Sequence, residues 1–373
     1  MPDGIMIMTM DGVLFDLPAI ELTPAQENWG MLGHNNVVRM LRRQLTNPQN
    51  SGGVGHAYLF TGMSGVGRRS LALRFAQALN CTAPLMAGIP CGKCRSCTQI
   101  DLMKHPDLHI LQAGQEGGTL KVEQVRELQH SLALAPYEAR YRVGLLLRFE
   151  EANPSAANAL LKNLEEPPPQ VILLLTASNV ETLLPTIVSR CQVMRLGLVP
   201  AATIAAGLQA NAGVEEEEAH RLARLCGGRP GYALRMLQNP EILEQRRHWM
   251  DELLRMFSAS RVERFAFAQA TADFRAKDAD KKLSMQNELR AMLLTWLSFG
   301  RDVFLCSTGV QPDAESLNNP DYKEEIMRIS NKSDPASAGR FVLLLERTLL
   351  RLERNVNARL AVEGLFVDFP ILR

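Results

Sequence analysis

Two groups of residues have the types and spacing that do chemistry. The first is Cys81, Cys91, Cys94 and Cys97, four of the seven cysteines gathered within 17 positions. A Cys-x2-Cys-x2-Cys run with one cysteine ahead of it is dense enough to close around one tetrahedral metal ion. Four thiolates suit zinc, and an iron–sulfur cluster, which shares the spacing, is the alternative. A site closed by four cysteines leaves no open coordination position, so its expected role is structural. The second group is Gly62, Gly65 and Gly67 followed by Arg68, Arg69 and Ser70. An apolar strand, His56 to Thr61, leads into it, and a helix follows with Leu71, Phe75, Ala78 and Leu79 on one face. Strand, glycine loop and helix in that order are the context in which backbone N–H groups and a helix N-terminus cradle phosphates.

The loop departs from a working phosphate site at the positions that matter most. Such a loop places Lys after the last glycine to reach the β and γ phosphates, then Ser or Thr to hold Mg²⁺. Here those positions are Arg68 and Arg69. Arginine keeps the charge, but its planar fork is not a compact ammonium. Arg69 has no metal-ligating atom, and Ser70 stands one position late. The loop shape is retained while its metal chemistry is lost; whether the two arginines hold a phosphate passively stays open.

The elements that position these groups centre on Arg142 to Arg190. Two buried-type apolar strands, Val143 to Leu147 and Val171 to Thr176, flank a short helix. Asn153 is the expected N-cap with Pro154 at the first helical position, and Pro167, Pro168 and Pro169 stop the helix. Strands of this kind, joined by helices, read as the middle of a parallel sheet.

Within this stretch, Asn158 to Lys162, the phrase Leu164-Glu165-Glu166-Pro167-Pro168, and Ser189-Arg190-Cys191 occur in the order and spacing that resemble the bacterial DNA polymerase III clamp-loader subunits of the AAA+ superfamily. The specific motifs cover about residues 30 to 237. The resemblance implies an α/β fold: an AAA+ P-loop-type parallel-sheet module over 29–198 with an inserted zinc module at 81–97. A helical lid over 199–240 and an all-α collar domain over 241–373 would follow. It further implies that Arg190 points out of its own subunit toward the ATP of a neighbour, as an arginine finger in trans. By the same alignment, the metal-binding Asp and catalytic Glu of active members fall on Leu147 and Arg148. The lid arginine falls at Gly231, with Arg229 as a substitute. Thr176 or Ser178 ends the strand where active members sense the γ-phosphate. Loss of Lys, Ser/Thr, Asp and Glu together predicts a chain that does not turn over ATP and in which ATP binding is doubtful.

The remaining features set limits. A composition of 46% hydrophobic and 22% charged residues suits a globular chain of two or three domains. A net charge of +1 gives no whole-chain polyanion signal, which argues against a zinc-dependent DNA-binding module on a scaffold fold. Residues 1–28 read as a leader that is possibly disordered. It carries no signal peptide, and no run reaches the length of a membrane span, so a cytoplasmic protein is expected. Trp29 to His34 and a short amphipathic helix, Val37 to Leu45, precede the loop. Lys121 to Leu128 opens another helix. Past a hinge at Gln238 to Pro240 the pattern is helical, with apolar stripes at Leu343, Leu344, Leu349, Leu350, Leu352 and Leu360. Interruptions are expected at Ala276 to Lys282 and Gln311 to Tyr322. The resemblance implies a non-hydrolysing component of the DNA polymerase III holoenzyme, a DNA-directed DNA polymerase. Its partners would be the ATPase and delta subunits of the loader, with the sliding clamp and primer–template DNA reached through the assembled complex. The alternative is an active loader ATPase with an Arg-containing loop, in which a carboxylate such as Glu150 reaches the metal.

Overall fold

A computed structural model describes residues 6–8, 14–16, 23–46, 53–114, 116–272, 279–309, 317–353 and 356–370. The chain divides into two compact units. Met1–Gly62, Gly67–Leu111 and Lys121–Gly197 form the first; Met63–Val66, Gln112–Leu120 and Leu198–Arg373 form the second.

The first unit opens with β1 (Met6–Met8) and β2 (Leu14–Asp16), paired antiparallel with Ile7 opposite Phe15. The short helix α1 (Pro24–Glu27) and the helix α2 (Asn35–Thr46) follow. The expected leader thus contains two strands and a helical turn, and the rest of it lies outside the described residues. Next come β3 (Ala57–Thr61), α3 (Arg68–Asn80), α4 (Arg95–Asp101), β4 (Leu108–Leu111) and α5 (Val122–Leu132). The unit closes with β5 (Arg142–Leu146), α6 (Pro154–Glu165), β6 (Val171–Ala177), α7 (Pro185–Val188) and β7 (Gln192–Arg195).

Five of these strands make one parallel sheet in the order β4-β5-β6-β3-β7. Every residue of β3, β5 and β6 is buried, which is why these segments are largely apolar along their length instead of alternating, most plainly in Val171 to Leu175 of β6. The register sets Thr61 against Ala177 and Leu146 against Leu175, so β3 and β6 end level and β5 ends two residues short of them. Asn153 caps α6, its Oδ1 accepting from Ala156 N at 2.7 Å, with Pro154 in the first turn, as the sequence predicts. Helix α3 is buried more widely than one face: Ala72, Leu73, Ala76 and Gln77 join Leu71, Phe75 and Leu79, while Ala78 is only half-buried. The reason is α4, packed against the side that the apolar spacing assigned to solvent.

The second unit is helical throughout its described part beyond residue 198. Helices α8 (Ala201–Ala212), α9 (Glu216–Leu225) and α10 (Pro230–Gln238) enclose a small core of Ile204, Leu208, Leu222, Ala233 and Met236. Gly213, at φ +63, ends α8 in the left-handed conformation. A separate, larger core gathers Leu253, Ala268, Trp296, Ile326, Phe341 and Phe366 from α11 (Glu241–Ser258), α12 (Arg261–Ala272), α13 (Ala279–Ser307), α14 (Lys323–Lys332), α15 (Pro335–Glu353) and α16 (Ala358–Val367). Arg264 is buried inside it, donating to the carbonyls of Met256 and Phe369 at 2.9 and 3.0 Å.

Two interruptions are expected in this region, and the first is corrected in part. The charged segment from Ala276 does not interrupt the helices through Lys282, because residues 279–282 are the first turn of α13; residues 276–278 lie outside the described ones. In the second expected interruption, residues 311–316 lie outside the described ones, and Pro320–Tyr322 form a 3-10 turn leading into α14. The apolar stripes also divide: Leu349 is buried and Leu344 and Leu352 are half-buried, but Leu343, Leu350 and Leu360 are exposed.

Candidate functional site

The glycine loop follows β3 directly. Gly62, Gly65 and Gly67 have φ of 148, 87 and 111°, a region closed to residues with a side chain, so the loop shape depends on glycine at all three positions. Leu71 N donates to Gly67 O at 2.9 Å and starts α3, whose N-cap makes no side-chain hydrogen bond and whose first turn has no acidic residue. A loop with this backbone and a helix N-terminus beneath it has the form of an anion cradle.

Its side chains are arranged otherwise. Arg68 lies half-buried with its guanidinium 3.9 Å from Glu150 Oε1. The same carboxylate oxygen accepts from Ser178 N at 2.9 Å, so Glu150 bridges the loop and the end of β6. Arg69 and Ser70 are exposed on α3. Leu147, the position at which the sequence resemblance expects a metal carboxylate in active members, is a buried core side chain. Arg148, at the next position, has φ +50, an uncommon conformation for a non-glycine residue. It is held by two contacts: its N–H donates to Thr176 Oγ1 at 2.9 Å and its Nε to Glu151 Oε1 at 2.8 Å. Thr176 therefore ties β6 to the turn after β5. In the second unit, Gly231 N donates to Gly65 O at 2.7 Å, and a Cβ on Gly231 would come within 2.9 Å of that oxygen. Arg229, the candidate substitute on α10, donates to Cys226 O and stacks over the Tyr232 ring.

Arg190 stands at the far side of β6, just beyond α7. Its NH1 donates to Thr186 O at 2.8 Å, and its NH2 pairs with Glu165 Oε1 at 2.8 Å. The side chain is about one-third exposed, 35% against 51% for Glu165. Cys191 next to it is pushed up to about 12 by burial and remains a thiol.

The four cysteines converge. Their Sγ atoms all lie within 4.8 Å of one another, with Cys81 3.6 Å from Cys91 and 3.9 Å from Cys94. Sulfur atoms at the corners of a tetrahedron with metal–sulfur bonds of about 2.3 Å are separated by about 3.8 Å, whereas a disulfide needs about 2.05 Å. The loop backbone turns its amides onto the sulfurs: Cys91 N on Cys81 at 3.3 Å, Cys94 N on Cys91 at 3.2 Å and Cys97 N on Cys94 at 3.5 Å. Such donors stabilise thiolate. At Cys94, hydrogen bonds from Thr82 and from the Cys97 backbone outweigh burial and bring the thiol down to about 5. Donor set, spacing and amide pattern all fit a metal ion. Gln77 Nε2, donating to Cys97 O at 2.7 Å, anchors the cluster to α3.

Two features escaped the sequence reading. Asp107 is fully buried and accepts from the amides of Tyr137, Glu138 and Ala139, and Glu138 in turn lies 3.8 Å from Arg95 of α4. The other is the partnering of Arg68 and Arg190 by Glu150 and Glu165. A carboxylate whose partner lies far along the chain leaves no periodic signal. A Glu in the last helical turn, unfavourable to the helix dipole, was the available clue for Glu165.

A parallel sheet whose glycine-loop strand β3 lies between β6 and β7, followed by a glycine loop and helix with a four-thiol insertion after that helix, defines an α/β module of P-loop type. A family model described as DNA polymerase III, delta subunit, matches residues 33–199. The DNA polymerase III subunit delta-prime of Pseudomonas aeruginosa is 31% identical over 321 residues, 85% of this chain and 92% of that relative. The delta-prime subunit of Haemophilus influenzae is 38% identical over 196 residues, 52% of this chain and 58% of its own length. The tau subunit of Escherichia coli is 39% identical over 147 residues, 39% of this chain and 22% of its own. The chain belongs to the delta-prime family of DNA polymerase III clamp-loader subunits.

Proposed function

We propose that this chain is the non-hydrolysing member of a clamp-loader ring and supplies Arg190 in trans to the ATP of a neighbouring ATPase subunit. The observation that carries the reading is the state of its own loop. The only loop cation at the phosphate-reaching position, Arg68, faces Glu150 inside the same unit, while Leu147 and Arg148 replace the metal and catalytic carboxylates. Phosphoryl transfer depends on a metal bridging the β and γ oxygens, and none of the residues at these positions can hold one. Glu150, the carboxylate an active ATPase would need, is engaged with Arg68 and Ser178 N, which speaks against the alternative of an Arg-loop enzyme. Arg190 is the complementary case: partly exposed just beyond a short helix, and of the residue type that stabilises charge spread over a transferring phosphoryl group.

In this reading the α/β unit carries the finger, α8 to α10 are the lid, and α11 to α16 are the collar through which the ring's ATPase and delta subunits are met. The sliding clamp and primer–template DNA are handled by the assembled cytoplasmic complex, not by this chain alone. Cys81, Cys91, Cys94 and Cys97 would hold zinc, which supplies a structural cross-link between the end of α3 and the start of α4. Among the described residues, no helix is long and apolar enough to cross a membrane.

Two measurements test this. Incubated with Mg-ATP, the isolated chain is expected to show no turnover above a buffer blank; clear Mg²⁺-dependent hydrolysis would move the active-ATPase reading to first place. Elemental analysis of the purified chain is expected to give one zinc per chain. A preparation that is folded yet holds neither zinc nor iron would remove the metal assignment. Chelation is expected to lower the melting temperature of the wild type more than that of Cys94→Ser, which has already lost one ligand.

A further inference from the structure

The phrase Leu164 to Pro168 helps to identify the family, yet nothing in the proposed mechanism uses it. The geometry supplies a use for Glu165. Pro167 excludes helical backbone at Glu166, whose φ and ψ are −125 and 74°, so α6 stops and Glu165 is fixed in its last turn. A carboxylate there opposes the helix dipole and needs a cation to offset it. Arg190 is that cation, reached across from another element at 2.8 Å. Its other hydrogen bonds, to Thr186 O and more distantly to Ser189 Oγ at 3.4 Å, come from its own turn and carry no charge. Glu165 is thus the only anion on the guanidinium among the described residues.

We propose that Glu165 is the resting counter-ion of Arg190: it holds the guanidinium turned outward in the unengaged subunit and yields it to the phosphates of a neighbouring subunit's ATP. The proposal rests on the reading of Arg190 as a finger in trans. Carboxylate and phosphoryl oxygens compete for the same N–H edges, and both are served best by the same fork geometry. The pair is partly solvated, so it is weak, and a more highly charged phosphoryl group displaces it readily. A carboxylate left beside an incoming phosphate also repels it, so engagement is disfavoured until the ring closes tightly. Glu165 acts through Arg190 and is a positioning residue, one that sets how far ATP hydrolysis waits for clamp and DNA.

The test is ATP hydrolysis by the fully reconstituted complex carrying Glu165→Gln, with and without clamp and primed DNA. The amide keeps a hydrogen-bond acceptor for Arg190 but no charge. The unstimulated rate is expected to rise about two- to fivefold, the range set by a solvent-exposed ion pair. The stimulated kcat is expected to stay within about twofold, because in that state Arg190 has already left Glu165. Stimulation by clamp and DNA therefore shrinks, and Glu165→Asp, which retains the charge, is expected to restore most of it. In an Arg190→Ala background, Glu165→Gln is expected to change nothing, the signature of two residues acting through one contact. An unchanged unstimulated rate, or a fall in both rates, would overturn the counter-ion role; a fall in both would make Glu165 a fixed support. If Arg190→Ala itself changes no rate, the finger reading fails first, so the two failures are distinguishable.

Discussion

Arg190→Ala is expected to abolish hydrolysis at the ATP site that faces it, by about 10³-fold or more in single-turnover measurements on the complex, the range known for arginine fingers supplied in trans. Steady-state ATPase falls less, because other subunits retain their own sites, but clamp loading onto primed DNA falls with the silenced site. The large effect comes from the transition state: charge spreads over the phosphoryl oxygens, and a fixed guanidinium stabilises it more than it stabilises bound ATP. Arg190→Lys is expected to recover only a small part, since a point charge on a flexible stem does not reproduce the planar fork. Folding is not the explanation for the loss. Arg190 is partly exposed and pairs with an exposed carboxylate, so the variant's melting temperature is expected to match that of the wild type. Unchanged DNA-stimulated hydrolysis in the complex would sink the assignment.

How legible the site was depends on the kind of signal each residue leaves. The three loop glycines declare themselves because their φ values admit nothing else, and the four cysteines because a metal requires them close in sequence or brought together by a short turn. The strands β3, β5 and β6 read correctly because burial on both faces forces continuous apolar runs. Helix α3 was misjudged in its breadth of burial, since α4 covers a side that looks polar by its Arg74 and Gln77. Gln77 is buried because it binds the Cys97 carbonyl, and no period in the sequence encodes that. The same limit hid the pairing of Arg68 with Glu150: both residues were singled out, but only folding shows the carboxylate meeting the loop cation instead of a metal position. In α15, the exposure of Leu343 and Leu350 was invisible because their helical spacing is the same as that of a buried stripe.

Asp107→Ala is expected to be the most destabilising single change in the first unit, costing about 3–5 kcal/mol, the usual penalty for removing one partner of a buried ion pair. Asp107 is fully buried between the cysteine insertion and β4. Its Oδ1 accepts from Tyr137 N at 2.7 Å, and its Oδ2 accepts from Glu138 N and Ala139 N at 2.9 Å each. Arg142, also buried, lies 3.4 Å from Oδ1 and donates onward to Ser131 O and Leu134 O at the end of α5. Alanine would strand three amides and a guanidinium at once. Since a domain is held by only about 5–15 kcal/mol in total, the loss is expected to appear as a fall of roughly 10 °C in the melting of this unit, with faster amide exchange across Val143 to Leu146. The pH dependence follows from the carboxyl itself. Burial alone would raise its pKa, but the three N–H groups and Arg142 outweigh burial and hold it below the usual carboxylate range. Its stabilisation is therefore fully present above about pH 4, the unfolded value, and is lost as pH falls through the lower folded value. The gap between wild type and variant in urea denaturation is expected to be widest at pH 7 and to close in strong acid. A gap at pH 7 smaller than about 1 kcal/mol would mean that water satisfies the amides of residues 137–139 and that the loop needs no anion. The loop's Glu138 faces both His105 and Arg95 of α4, so loosening it is expected to free the cysteine module's helix from the sheet edge while the four thiols stay together.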